Sequence, residues 1–234
     1  MWDHEYSWEA DGDEWSDQAG FCKVPYPRWK ASIIETLIRP NLHKGSMAVE
    51  LAPGHGRWSG HIASMAGNVA LVDMSPGCIE HCRKKFSALG NISYFINDGK
   101  SLPFIGDSSV DFIFSFDSFV HIEKEETASY LSEFARVLKK GGRAVIHHPG
   151  RRHSTLSLGG ILLKLSLPGR LAYGILTTGR LMKHYGMRAN ISRESFALMA
   201  GRSGLKVVSQ FDSWGKEDEF NVKLFRDCIT ILEK

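Results

Sequence analysis

The chain has no run of about 18 uncharged apolar residues, so no segment of the sequence is built to span a bilayer as a helix. Its opening, Met1-Trp2-Asp3-His4-Glu5-Tyr6, has neither a basic nor an apolar stretch. No secretory signal is therefore expected there, and the expected compartment is the cytoplasm. Cysteine is scarce: Cys22, Cys78, Cys82 and Cys228 are the four in 234 residues. Cys78 and Cys82 lie one helical turn apart and would hold a metal only with two further ligands nearby. Burial as small hydrophobes is the simpler expectation, and no metal is assigned. Repeats and low-complexity tracts are absent. The net charge of +3 is too small to imply nucleic acid. One absence is local: from Phe134 to Arg193 there is no Asp or Glu, against twelve basic residues.

What is present is a regular alternation. Residues 1–29 interleave Trp2, Tyr6, Trp8, Trp15, Tyr26 and Trp29 with acids. Disordered tails are poor in aromatics, so this segment is expected to pack on the domain or its ligand. A helix is expected over roughly 28–39, making 1–40 an N-terminal extension of a single domain, 1–234. Strands are then expected at Met47–Ala52, Val69–Asp73, Ile92–Ile96, Val110–Phe116 and Arg143–His147. Helices fall between them up to about Met65, and over about Pro76–Leu89 and Lys124–Leu138, with Gly141-Gly142 turning into the fifth strand. After an interruption at 150–190 come a helix at about 192–203 and strands at Lys206–Phe211 and about Asp227–Leu232. Such alternation means βαβ units and an α/β fold with a mostly parallel sheet covered on both faces.

The sharpest local signal is Val49-Glu50-Leu51-Ala52-Pro53-Gly54-His55-Gly56-Arg57, at the end of the first strand. Glycines at a strand-to-helix turn let the backbone approach a ligand and aim helix N–H groups at it. A dinucleotide site would share that feature. However, Ser59 stands where its third glycine belongs, and Glu50 would repel a pyrophosphate while attracting a cationic amino acid.

The pattern resembles the first motif of class I S-adenosylmethionine-dependent methyltransferases, with Ala52 in place of the first glycine. Further motifs follow in order. Asp73-Met74 lies 23 positions after Glu50 at the end of the second strand, and Asn97-Asp98-Gly99 follows the third. Val110 to Ser118 resembles the fourth motif, and Leu138 to Gly142 the turn before strand five. The resemblance covers 45–148 and, as a closing helix and two strands, 190–234. It implies a Rossmann-like, doubly wound, seven-stranded sheet with an antiparallel last strand and a lid-like insertion at 150–190. It also implies S-adenosyl-L-methionine as cofactor. Glu50, Ala52, Gly54 and Gly56 would sit at its methionine part, Asp73 and Met74 at the ribose, and Asp98 and Gly99 at the adenine. Phe116 would border the cofactor.

The acceptor should meet the cofactor beyond the ends of strands four and five. Methyl transfer to a hydroxyl needs alignment and removal of a proton. His148, Asp117 and His121 are the candidate catalytic groups, with His148 the expected base because it lies nearer the strand's open end. His147, Arg188 and Ser118 are the candidate acceptor contacts. Phe114 to His121, Ile146-His147-His148 and Met187 to Ser192 resemble sugar and polysaccharide O-methyltransferases. That likeness implies O-methylation of a sugar, glycan or related small metabolite. A lipid- or quinone-like acceptor, a nitrogen acceptor and a non-catalytic cofactor-binding scaffold remain as alternatives. The acid-free stretch leaves three roles open: a lid, a dimer surface, or peripheral contact with an anionic membrane. Its charge leads to the expectation of an anionic or lipid-linked acceptor.

Overall fold

The computed structural model describes residues 16–150 and 188–234. The expectations for 1–15, and for the insertion at 151–187, lie outside the described residues.

Two helices lead in, α1 (Ser16–Phe21) and α2 (Tyr26–Ile33), the second continuing through a π turn at Ile34–Ile38 and a 3-10 turn at Arg39–Asn41. Pro40 therefore lies inside the last turn rather than beyond it. Then follow β1 (Met47–Leu51), α3 (Ser59–Met65), β2 (Asn68–Asp73), α4 (Pro76–Lys85), β3 (Ile92–Ile96), β4 (Val110–Ser115), α5 (Lys124–Val137) and β5 (Leu138–Pro149). After residue 187 come α6 (Arg193–Arg202), β6 (Lys206–Phe211), β7 (Ser213–Trp214), β8 (Phe220–Asn221) and β9 (Asp227–Glu233). The main sheet has seven strands in the order β3-β2-β1-β4-β5-β9-β6. The pairings among β1 to β5 are parallel, and β9 runs antiparallel to both β5 and β6. This is the expected Rossmann-like α/β architecture.

β1, β2 and β4 are apolar and buried almost throughout, as parallel strands covered on both faces must be. Alternation along β4 sends Phe112, Phe114 and Phe116 to one face and Ile113 to the other. The first face packs against Trp29, Ile33, Trp58, Ile62 and Trp214; the second packs against Phe134, Phe196 and Leu131. Trp29 stands edge-on to Phe116 at 5.9 Å and donates from Nε1 to the Asn221 carbonyl. α2 is thereby tied to the two-stranded β7–β8 ladder, which the sequence pattern did not reveal.

β5 begins earlier than the expected Arg143. It starts at Leu138 and crosses the glycine pair with a register shift opposite β4 between Val110 and Phe112. A Cβ at Gly142 would lie 2.9 Å from the Lys139 carbonyl oxygen, so only glycine allows that close approach.

Candidate active site

Where β1 ends, Ala52, Gly54 and Gly56 all take positive φ, at 55°, 56° and 78°. The turn lifts the chain over the sheet edge and into α3. Two carboxylates flank it. Glu50 is fully buried, and its Oε2 has no hydrogen-bond partner in the structure. Burial pushes its carboxyl up to about 7, against the pull of Ser59 and the positive charges of Arg57 and Lys85. Asp73, at the end of the neighbouring β2, accepts from the Gly54 amide at 3.2 Å and from the Ser75 amide at 2.9 Å. It thus joins the glycine turn to the start of α4, where Ser75 caps the helix through the Cys78 amide.

At the end of β3, Asp98 is exposed. Its Oδ1 accepts from the Lys100 and Ser101 amides and the Ser101 hydroxyl. These bonds hold its carboxyl below the usual range, the Lys100 amide foremost, despite some opposing desolvation. Met74 and Ile96 stand open at 59% and 54% exposure, unusual for large apolar side chains at strand ends. The Met74 thioether lies over Gly99, in ordinary contact with the position a Cβ would take there. Met74, Ile96 and Gly99 make an apolar shelf beside the Asp98 loop.

At the ends of β4 and β5 the structure separates what the sequence grouped. The Ser115 hydroxyl donates to the Leu51 carbonyl, and that of Ser118 reaches the Ala52 carbonyl at 3.4 Å. Asp117 sits between them, half-buried, with φ of 69°. His121 is also half-buried, its amide bonded to the Ser118 carbonyl. Phe116 is buried between Trp29, Trp58 and the His147 ring.

Both β5 histidines, one expected as the base and the other as an acceptor contact, are wholly buried. His148 stacks on Phe196 at 3.7 Å, with Nδ1 2.8 Å from the Pro149 carbonyl and Nε2 2.6 Å from the Thr230 hydroxyl. Burial drives its pKa down to about 3. With both nitrogens engaged, it has no lone pair for an acceptor. His147 faces the opposite side, stacked on Phe116, and its Nδ1 accepts from the Asp117 amide at 3.1 Å. Its Nε2 lies 3.4 Å from Asp227 Oδ2. Arg188, the other expected acceptor contact, bonds that same oxygen at 2.6 Å and lies over the Phe225 ring. Asp227 carried no motif; it begins β9, 80 positions after His147 and far outside any local pattern.

The acid-free stretch is not acid-free in space. Of its twelve basic residues six are described, and five of those six pair with acids from elsewhere in the chain. Arg136 pairs with Glu133 and Asp107, Lys139 with Asp111, Arg143 with Glu233, Arg188 with Asp227, and Arg193 with Asp212. The positive field read from the linear sequence is reduced accordingly. Among the described residues there is no group of three or more potential metal ligands and no helix long and apolar enough to cross a membrane.

Residues 48–142 match the family model described as a methyltransferase domain. Demethylmenaquinone methyltransferase of Clavibacter sepedonicus is 32% identical over 102 residues, covering 44% of this chain and 40% of that protein. Ubiquinone/menaquinone biosynthesis C-methyltransferase UbiE of Francisella tularensis is 29% identical over 124 residues, covering 50% and 47%. The chain thus spans less than half the length of these curated relatives. An S-adenosylmethionine-dependent methyltransferase from Aquifex aeolicus shares the fold, with a TM-score of 0.56 at 16% identity over 88% of this chain and 91% of that one. Residues 48–142 are thus similar to a methyltransferase domain, and the chain shares its fold with an S-adenosylmethionine-dependent methyltransferase.

Proposed function

We propose that this chain, an enzyme with a class I methyltransferase domain, methylates an electron-rich ring acceptor of the phenol or hydroquinone class. The observation that carries the acceptor class is the burial of His147 and His148, with both nitrogens of His148 hydrogen-bonded and those of His147 turned to the Asp117 amide and to Asp227. Among the described residues, half-buried Asp117 and His121 are then the candidate proton acceptors beside the end of β4. A phenol-type hydroxyl ionises near pH 10, as tyrosine does, so a weak base suffices to activate it or its ring carbon. The names of the two quinone-pathway relatives support the same class.

The residues fit the cofactor. The partnerless, buried oxygen of Glu50 beside the glycine turn suits the ammonium of its methionine part. Asp73 has capacity to accept ribose hydroxyls while bonding Gly54 and Ser75, and the Met74–Ile96–Gly99 shelf suits a flat base. The cofactor supplies an electrophilic methyl group on a sulfonium. Asp117 and His121 would take the acceptor proton, and Ser118 would help to place the acceptor.

A second reading is O-methylation of a sugar hydroxyl, favoured by the half-buried imidazole of His121 beside the end of β4. Transfer of a labelled methyl group from S-adenosylmethionine to short-chain hydroquinones, phenols, monosaccharides and nucleotide sugars separates the two. Label on hydroquinone or phenol is the expected result. Label confined to sugars would establish the second reading, and failure to bind S-adenosylhomocysteine would remove both.

A further inference from the structure

We infer that Asp227 is a positioning residue: with Arg188 it holds His147 in the tautomer that grips the backbone of Asp117. The inference rests on the reading of Asp117 as an acceptor-side group.

The atoms form a chain from the base of β9 to the end of β4. Arg188 Nη2 donates to Asp227 Oδ2 at 2.6 Å, and His147 Nε2 lies 3.4 Å from that oxygen. On the other edge of the ring, Nδ1 accepts from the Asp117 amide at 3.1 Å. An imidazole nitrogen that accepts an N–H carries no proton, so in the neutral ring the proton sits on Nε2, facing Asp227. A carboxylate facing Nε2 favours that tautomer. Burial opposes the charge of Asp227, but Arg188 and His147 outweigh it and hold the carboxyl below its ordinary pKa. Asp227 thus stays an anion where a lone one would be costly.

Asp117 needs such a hold. Its φ of 69° is left-handed, a conformation that aspartate tolerates better than most L-residues but still at a cost, so a bond to its amide helps to keep it. The next residue, Ser118, contacts the carbonyl of Ala52, itself at positive φ in the glycine turn. Holding the Asp117 amide therefore places the cofactor turn and the acceptor-side carboxylate relative to each other.

Arg188 adds a second connection. It belongs to a returning stem that is pinned beside this network, with Ala189 N–H on the Val120 carbonyl and Arg193 N–H on that of Gly150. Gly150 in turn donates to the Arg226 carbonyl, next to Asp227. The Asp117 backbone is thus coupled to the stem through Asp227 and His147.

The test uses the full chain, labelled with ¹⁵N, free and with S-adenosylhomocysteine. Long-range ¹H–¹⁵N spectra should show His147 with a protonated Nε2 and a bare Nδ1, and the Asp117 amide should exchange slowly. Asp227→Ala should speed exchange of that amide about tenfold or more, with little change along β1 and β2. His147→Asn offers a side-chain oxygen near the Nδ1 position and should keep the amide protected. His147→Gln, which reaches toward Asp227 instead, should not, and this pair serves if Asp227→Ala fails to fold. With a hydroquinone as acceptor probe, Asp227→Ala and His147→Gln should lower kcat while the KM for S-adenosylmethionine stays within about twofold, and His147→Asn should recover kcat. A proton on Nδ1, or Asp117 exchange indifferent to these substitutions, would overturn the inference. Inactivity of the wild type on every ring acceptor, with the exchange results as expected, would instead count against the proposed acceptor.

Discussion

The Thr230 hydroxyl donates to Nε2 of His148 across 2.6 Å, because Nδ1 of the same ring must donate to the Pro149 carbonyl at 2.8 Å. Thr230 then accepts from Gln210 Nε2 at 2.9 Å, closing a polar chain inside the core. His148→Ala would leave these partners unsatisfied and open a cavity against Phe196. We expect a loss of about 3 kcal/mol in stability, the scale of a buried ring truncation with orphaned hydrogen bonds. Urea unfolding would measure it, with S-adenosylhomocysteine affinity unchanged by calorimetry. Undiminished stability with abolished turnover would restore His148 to the role of base.

Two buried groups give opposite pH dependences. The folded chain resists protonating His148 until about pH 3, whereas the unfolded ring takes a proton near 6.5, so stability falls as pH drops through that window. Glu50 keeps its proton up to about pH 7 when folded but loses it near 4.5 when unfolded, so stability falls as pH rises between those values. Between pH 4.5 and 6.5 the two slopes, each about 1.4 kcal/mol per unit at most, oppose each other. Glu50→Gln should make the chain lose stability steadily on acidification, and His148→Ala should reverse the slope. Parallel profiles for wild type and both variants, followed by thermal midpoint, would contradict this.

Cofactor binding should report Glu50 as well. A cationic amino group beside the Glu50 carboxyl favours its ionised form, so a group titrating at about 7 releases a proton when the cofactor binds. Affinity should rise with pH from about 6 to 7.5, and calorimetry in buffers of different ionisation heat should detect the released proton. Glu50→Gln should abolish the release and weaken binding about tenfold. Asp73→Ala should cost on the order of 2–3 kcal/mol of cofactor affinity, since it removes charge-assisted bonds and loosens Gly54.

Gly56 tests the turn itself. A Cβ there would fall 2.5 Å from Cε2 and 2.8 Å from Cζ of Phe86, at a φ of 78°. Gly56→Ala should destabilise the chain by about 1–3 kcal/mol through overpacking and left-handed strain. Adding Phe86→Leu should recover only the steric part. Full recovery of the thermal midpoint would mean that the backbone at this position is unstrained.

The sequence by itself determined the sheet and put the glycine turn and Asp73 at its strand ends, because both are written in local periods. Buried strands are short apolar runs, and the Glu50 to Gly56 turn and Asp73 each follow directly from a strand end. Alternation also put His147 and His148 on opposite faces, as the structure does. Which of those faces was open could not be read locally. Phe196 and Thr230 close one side, Asp227 and Phe116 the other, and three of these four lie 48 to 82 positions from the histidines they contain. Charge behaved likewise: a stretch without acids acquires Asp107, Asp111, Asp212, Asp227 and Glu233 as partners once the chain folds. Burial and pairing are properties of neighbours in space, and only the tertiary structure supplies neighbours from distant parts of a chain.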